Sequence, residues 1–231
     1  MSACNSLPAR ARGVLFDLDG TLVDTAPDMV TVLADLQEAH GLEPLAYEVA
    51  RAHVSNGAIG LLRLAFPDVP ADALGPLHSE YLERYAQALC VRSALFPGLG
   101  QLLDDLDRAN CPWGVVTNKP GRLTVPLMGA LQLADRAGCV VSGDTLPQRK
   151  PHPAPLLLAA RTLGVAPQAS VYIGDAARDI EAGRAAGMAT VAAAYGYIVP
   201  GDEPSGWGAN SVVSDTDELA HVLLKAVNLR Q

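Results

Sequence analysis

Lysine is the scarcest charge in this chain: Lys119, Lys150 and Lys225 are the only three, against 14 arginines in 231 residues. Twenty-five acidic residues outweigh both and leave a formal net charge of −8. That balance argues against a nucleic-acid partner, because binding a phosphate backbone needs a basic face. An acidic protein that handles a small anion must gather positive charge locally, on a metal ion or on one or two placed lysines. Aromatic residues make up 5%, so Leu, Val and Ala must fill most of the core. Cys4, Cys90, Cys111 and Cys139 form neither a C-x-x-C pair nor a zinc-like spacing, which suits a reduced, cytoplasmic chain. The opening residues lack the apolar centre of a secretory signal, and no apolar run approaches the length of a membrane span. The expectation is therefore a cytoplasmic protein with no membrane partner, either a monomer or a homodimer.

What the chain does have is a change of rhythm. Gly13-Val-Leu-Phe16 is a short apolar run that breaks into Asp17-Leu-Asp-Gly-Thr21, as a buried strand entering a polar loop does. Met29, Val30, Leu33 and Leu36 then fall on one side of a predicted helix from Ala26 to His40, with Gly41 as its stop. Helices are also predicted over Val49–Val54, Ala58–Phe66 and Leu74–Leu89, with no strand-like run among them. After Phe96-Pro-Gly98 strands and helices alternate: strands at Trp113–Val116, Cys139–Val141, Val171–Ile173, Ala189–Ala193 and Ser211–Val213 are separated by helical patterns. Such alternation predicts an α/β fold with a Rossmann-like, mainly parallel sheet covered on both faces. The all-helical stretch reads as an inserted cap domain. The expected division is 1–22 with 94–231 as the catalytic core and 23–93 as the cap.

Four polar clusters follow the strands: Asp17 to Thr21, Thr117-Asn-Lys119, Arg149-Lys-Pro151, and Gly174-Asp175 with Asp179. Parallel strands end on one edge, so these clusters should meet in one crevice. Carboxylates brought that close repel one another unless a cation intervenes, and hard oxygen ligands without His or Cys point to Mg²⁺. Taken singly, each cluster has an ordinary explanation. Asp before Gly is turn chemistry, Thr117 and Asn118 are good helix caps, and Asp179 suits a helix start. Two of the three lysines nevertheless fall at this one expected crevice.

The run Phe16-Asp-Leu-Asp-Gly-Thr-Leu-Val-Asp-Thr25 resembles the first motif of the haloacid dehalogenase superfamily. Val116-Thr-Asn118, Lys150-Pro151 and Gly174-Asp175-x-x-x-Asp179 resemble its second, third and fourth motifs, in order. The likeness spans the core, and the helical insert stands where that family carries a cap. It implies that Asp17 is a nucleophile forming an aspartyl-phosphate and that Asp19 is the general acid/base. It further implies that Thr117, Asn118 and Lys150 bind the phosphoryl group. Asp17, the Asp19 carbonyl and Asp175 would hold Mg²⁺, with Asp179 behind them or acting through water.

A carboxyl at position 19 separates branches of the family, because dehalogenases lack it and transport ATPases have Thr there. The expected reaction is hydrolysis of the phosphomonoester of a small metabolite. A sugar phosphomutase would keep the same four motifs and stays open. Val54-Ser-Asn-Gly-Ala58 resembles a specificity loop, and Arg51 and Arg63 are candidates for a substrate carboxylate. Most of the chain is similar to phosphoglycolate phosphatases. Trp113 to Pro120, Tyr195-Gly-Tyr-Ile198 and Trp207-Gly-Ala209 look closer to N-acetylmuramic acid 6-phosphate phosphatases. The latter substrate, a peptidoglycan-recycling sugar phosphate, is the preferred expectation.

Overall fold

A computed structural model describes Leu7 and residues 11–227; Cys4 and most of the opening segment lie outside the described residues. Strand β1 (Gly13–Phe16) is buried along its whole length and lies between β4 (Trp113–Val116) and β6 (Ser170–Gly174), both equally buried. The sheet continues through β5 (Cys139–Val141) on one side and through β7 (Ala189–Ala193) and β8 (Ser211–Val213) on the other. Its order is β5-β4-β1-β6-β7-β8, and every neighbouring pair is parallel. Strands covered on both faces read as unbroken apolar runs rather than as alternation. That is why Val14-Leu-Phe16 and Val171-Tyr-Ile173 contain no charge.

Helices alternate with the strands, and the last of them follows β8. They are α5 (Leu99–Arg108), α6 (Gly121–Ala130), α7 (Ala154–Thr162), α8 (Ala177–Ala185) and α9 (Thr216–Ala226). On α5 the buried residues are Leu99, Leu102, Leu103 and Leu106, the i, i+3, i+4, i+7 stripe of a helix with one apolar face. Helix α8 begins at Ala177, which places Asp179 inside its first turn. Its side chain accepts the Ala176 N–H at 3.1 Å, closing the helix start.

The helical stretch between β1 and α5 contains α1 (Ala26–Ala39), α2 (Tyr47–Ala52), α3 (Gly57–Ala65) and α4 (Gly75–Gln87). It is bracketed by a feature that no pattern announced: β2 (Val23–Asp24) pairs antiparallel with β3 (Ala94–Leu95), two residues on each side. Strands so short carry no periodicity to detect. Beside this ribbon, buried Asp28 accepts the backbone N–H of Arg92 at 2.8 Å, that of Ser93 at 2.8 Å and the Ser93 hydroxyl at 2.6 Å. Among the described residues no helix is long and apolar enough to cross a membrane.

Asp28 thus ties the outgoing chain to the returning one through charge-assisted bonds, each stronger than a neutral one. Asp28→Ala strands two backbone donors and should lower the unfolding free energy by on the order of 3 kcal/mol. A urea titration followed by circular dichroism measures the loss.

Candidate active site

The four clusters do meet at the carboxyl ends of β1, β4 and β6, where the chain order of the sheet reverses around β1. Lys150 lies at the centre. Its ammonium, 1% exposed, is 2.8 Å from Asp17 Oδ1 and 2.7 Å from Asp179 Oδ1, and it donates to the Tyr172 hydroxyl at 2.9 Å. Tyr172 in turn donates to the Val116 carbonyl at 3.0 Å, so the lysine is braced from β6 and β4 together. The backbone of Lys150 is also held, because its N–H donates to Asn118 Oδ1 at 3.1 Å and its carbonyl accepts from Asn118 Nδ2 at 3.0 Å. Both polar atoms of the Asn118 side chain are thus engaged by the Lys150 backbone, while Asn118 also lines the cavity.

Asp17 is buried, and its Oδ1 accepts the Leu18 N–H at 2.7 Å as well as the lysine. Burial raises its carboxyl to about 6; the Lys150 charge works downward, and the Asp179 charge adds to the rise. Asp175 is pushed up to about 7, first by burial and then by the charges of Asp17 and Asp179. Hydrogen bonds to its Oδ2 from the Ser55 hydroxyl at 2.6 Å and the Tyr197 N–H at 2.9 Å pull the other way. Its Oδ1 is buried with no hydrogen-bond partner.

Asp17, Asp175 and Asp179 each offer an oxygen within 4.8 Å of the others, facing one buried lysine. Three carboxylates, one ammonium and an orphaned oxygen make a site short of positive charge. The loops around it leave no room for side chains: a Cβ on Gly20, at φ +82°, would lie 2.1 Å from Asp175 Oδ2, and one on Gly196 would lie 2.3 Å from Asp175 Cβ. A hard divalent cation with oxygen ligands fits this donor set. Asp175, with its unpaired oxygen, is the best-suited ligand. Asp179 has both oxygens engaged, by Lys150 and by the Ala176 N–H.

Asp19 points elsewhere. Its Oδ1 accepts from the Thr25 hydroxyl at 2.7 Å and from Lys119 Nζ at 2.8 Å. Lys119, 5% exposed, also donates to the Tyr85 hydroxyl of α4 at 3.0 Å. Burial would lower its proton affinity, but Asp19 and Tyr85 more than offset that and hold the ammonium charged. Thr117 Oγ1 accepts the Lys119 N–H at 3.1 Å, which shapes the turn after β4.

Asp17, Asp19, Thr117, Asn118 and Lys150 all line one cavity of about 470 Å³, walled by apolar side chains such as Met29, Leu82 and Leu123. Ser55 enters the cavity from the loop before α3, and the Arg178 guanidinium donates to the Ser55 carbonyl. Arg51 instead lies over the Tyr197 ring, 4.9 Å from its centroid, and Arg63 is exposed on α3; neither is among the residues lining the cavity. Tyr85 and Arg178 were not among the expected site residues, and Lys119 was expected in the crevice without an assigned role. Lysine scarcity was the one available signal for Lys119, and nothing in the sequence connects it to Tyr85.

A family model described as haloacid dehalogenase-like hydrolase matches residues 14–193. The chain belongs to the haloacid dehalogenase-like hydrolases. A Pseudomonas putida N-acetylmuramic acid 6-phosphate phosphatase is 43% identical over 219 residues, covering 94% of this chain and 98% of that protein. A Xanthomonas campestris phosphoglycolate phosphatase is also 43% identical, over 208 residues, covering 90% and 94%. Among solved structures, one described as a predicted phosphoglycolate phosphatase of Haemophilus somnus superposes with a TM-score of 0.81 at 26% identity, covering 92% of this chain and 97% of that one. This hydrolase, like those relatives, is a phosphatase.

Removing Lys150 would leave the buried Asp17 and Asp179 without their ion-pair partner, with only the charge of Arg178 nearby. Lys150→Met should cost about 3 kcal/mol or more of folding stability at pH 8. A carboxyl whose folded pKa lies above its unfolded one destabilises the fold while ionised and stops doing so once protonated. Without the lowering charge of Lys150 the Asp17 carboxyl of the variant takes up its proton at a higher pH than the wild type's, so the deficit should shrink as the pH falls towards about 6 and level off below it. Urea titrations of both proteins across that range read the effect.

Proposed function

We propose that this enzyme is a Mg²⁺-dependent phosphomonoesterase in which residues 1–22 and 94–231 form the catalytic core and 23–93 a specificity cap. The observation that carries this reading is the unlike setting of two aspartates on one loop. Asp17 is pinned by Lys150 and the Leu18 N–H through Oδ1, which leaves Oδ2 without a hydrogen bond among the described residues. Asp19 reaches the cavity paired with Lys119 and Thr25. Carboxyl groups held in different environments take different roles.

Asp17 Oδ2 attacks phosphorus and the ester P–O bond breaks, while Asp19 gives its proton to the departing alkoxide. Asp19 then takes a proton from water, whose oxygen attacks the aspartyl-phosphate, releasing phosphate and the free Asp17 carboxylate. Thr117 and Lys150 hold the phosphoryl oxygens, and Asn118 keeps Lys150 in register. Bound Mg²⁺, held by Asp17, Asp175 and the Asp19 carbonyl, supplies neutralising charge. Asp179 orients Lys150 from behind.

The preferred substrate is N-acetylmuramic acid 6-phosphate, supported by the Pseudomonas putida relative and by a cavity of about 470 Å³, large enough for a sugar. Phosphoglycolate is the second reading, on the strength of the Xanthomonas campestris relative. Both substrates and the free thiols Cys111 and Cys139 suit a cytoplasmic setting.

Asp17→Asn should lower phosphate release by about a thousandfold or more. Chelation should abolish it, and Mg²⁺ should restore it. Side-by-side kcat/KM values on the two carboxylated esters and p-nitrophenyl phosphate decide the substrate. If neither ester exceeds the aryl phosphate, both substrate assignments fail.

A further inference from the structure

Asp19 meets its neighbours with one oxygen only. Its Oδ1 accepts from Lys119 Nζ at 2.8 Å and from the Thr25 hydroxyl at 2.7 Å, while Oδ2 has no hydrogen bond among the described residues. An ammonium group can only donate, so a proton on Oδ1 would face another proton along the lysine contact. Whenever Asp19 is protonated, its proton therefore belongs on Oδ2.

Lys119 is itself held from several sides. Its N–H donates to Thr117 Oγ1, and its carbonyl accepts from the Gly143 N–H at 2.8 Å and from the Thr124 hydroxyl at 3.1 Å. Its Nζ donates to the Tyr85 hydroxyl at 3.0 Å and stands 4.6 Å from the centre of the Tyr85 ring, a cation–π contact. Tyr85 is buried on α4, its ring stacked on that of Tyr81 with the centres 6.2 Å apart. The Tyr81 hydroxyl donates in turn to the Met29 carbonyl of α1 at 2.9 Å. A side chain that is flexible by nature is thus fixed at both ends, with its charge against Asp19.

We propose that Lys119, anchored by Tyr85, is the positioning residue of the acid/base: it pins Oδ1 of Asp19 and turns Oδ2 into the cavity. The inference rests on the phosphomonoesterase reading and deepens it. In the first step the Oδ2–H bond breaks, and its proton joins the ester oxygen as the P–O bond opens. In the second, Oδ2 takes a proton from the attacking water. Both transfers need Oδ2 within hydrogen-bond reach of its partner, and a misplacement of about 1 Å costs on the order of a hundredfold in rate.

Phenyl phosphate and p-nitrophenyl phosphate are the probes, because they are alike in shape and differ in how much the departing oxygen needs a proton. Single-turnover release of the phenol reads the first step alone. Asp19→Asn sets the reference and should slow phenyl phosphate far more than the nitro ester. Lys119→Met should do the same, with a loss on phenyl phosphate at least about tenfold larger than on the nitro ester. Tyr85→Phe should show a severalfold excess in the same direction, and Lys119→Arg should recover part of the lysine's effect. In the Asp19→Asn background Lys119→Met should add no further discrimination, since it acts through that carboxyl. A Lys119→Met enzyme that slows both esters equally, or neither, overturns the positioning role and leaves the acid/base assignment standing. Should that variant not fold, Tyr85→Phe decides in the same way, because losing one hydroxyl leaves the ring stack in place. An Asp19→Asn enzyme that does not discriminate overturns the acid/base assignment and this inference together.

Discussion

One ammonium group holds the catalytic end of this enzyme together. Lys150 stands between the buried Asp17 and Asp179 and forms an ion pair with each. Its own position is fixed by residues from two strands and their loops: Tyr172 on β6, the Val116 carbonyl behind that tyrosine, and the Asn118 amide after β4 that grips its backbone. A buried ion pair gains little for stability over apolar packing. What it contributes here is direction, because it ties down one oxygen of Asp17 and leaves the other free. The remaining excess of negative charge beside Asp175 makes the pocket receptive to a divalent cation.

The two lysines divide the site. Lys150 belongs wholly to the α/β core, whereas Lys119 bridges the core carboxylate Asp19 and Tyr85 of the helical wall. Ser55 makes a second bridge of this kind, from the loop before α3 to Asp175. The helical stretch therefore touches the residues of the site at two points, through Lys119 on Asp19 and directly on Asp175.

Much of this was legible in the sequence where the physics is local. Fully buried strands show as apolar runs, so β1, β4 and β6 and the polar residues after them could be read directly. The meeting of Asp17, Lys150 and Asp175 followed from parallel strands ending on one edge. What escaped was whatever depends on two distant segments at once. Tyr85 and Lys119 are 34 residues apart, Ser55 and Asp175 are 120 apart, and no spacing rule connects them. The grip of the Asn118 amide on the Lys150 backbone, 32 residues away, is likewise outside any spacing rule. Arg51 and Arg63 were chosen for charge alone, and packing turned them away from the cavity.

The two-residue ribbon of β2 and β3 has a consequence for how such a protein diversifies. Asp24 stands opposite Ala94, so the chain leaves the sheet and returns to it at a single point. Whatever lies between can be lengthened, shortened or replaced while the six parallel strands keep their register. Asp28 seals that seam from inside the excursion, so a substituted segment has to bring its own fastening. The register of the sheet is thereby independent of that segment's length, while Ser55 and Tyr85 still tie the segment to Asp175 and Lys119.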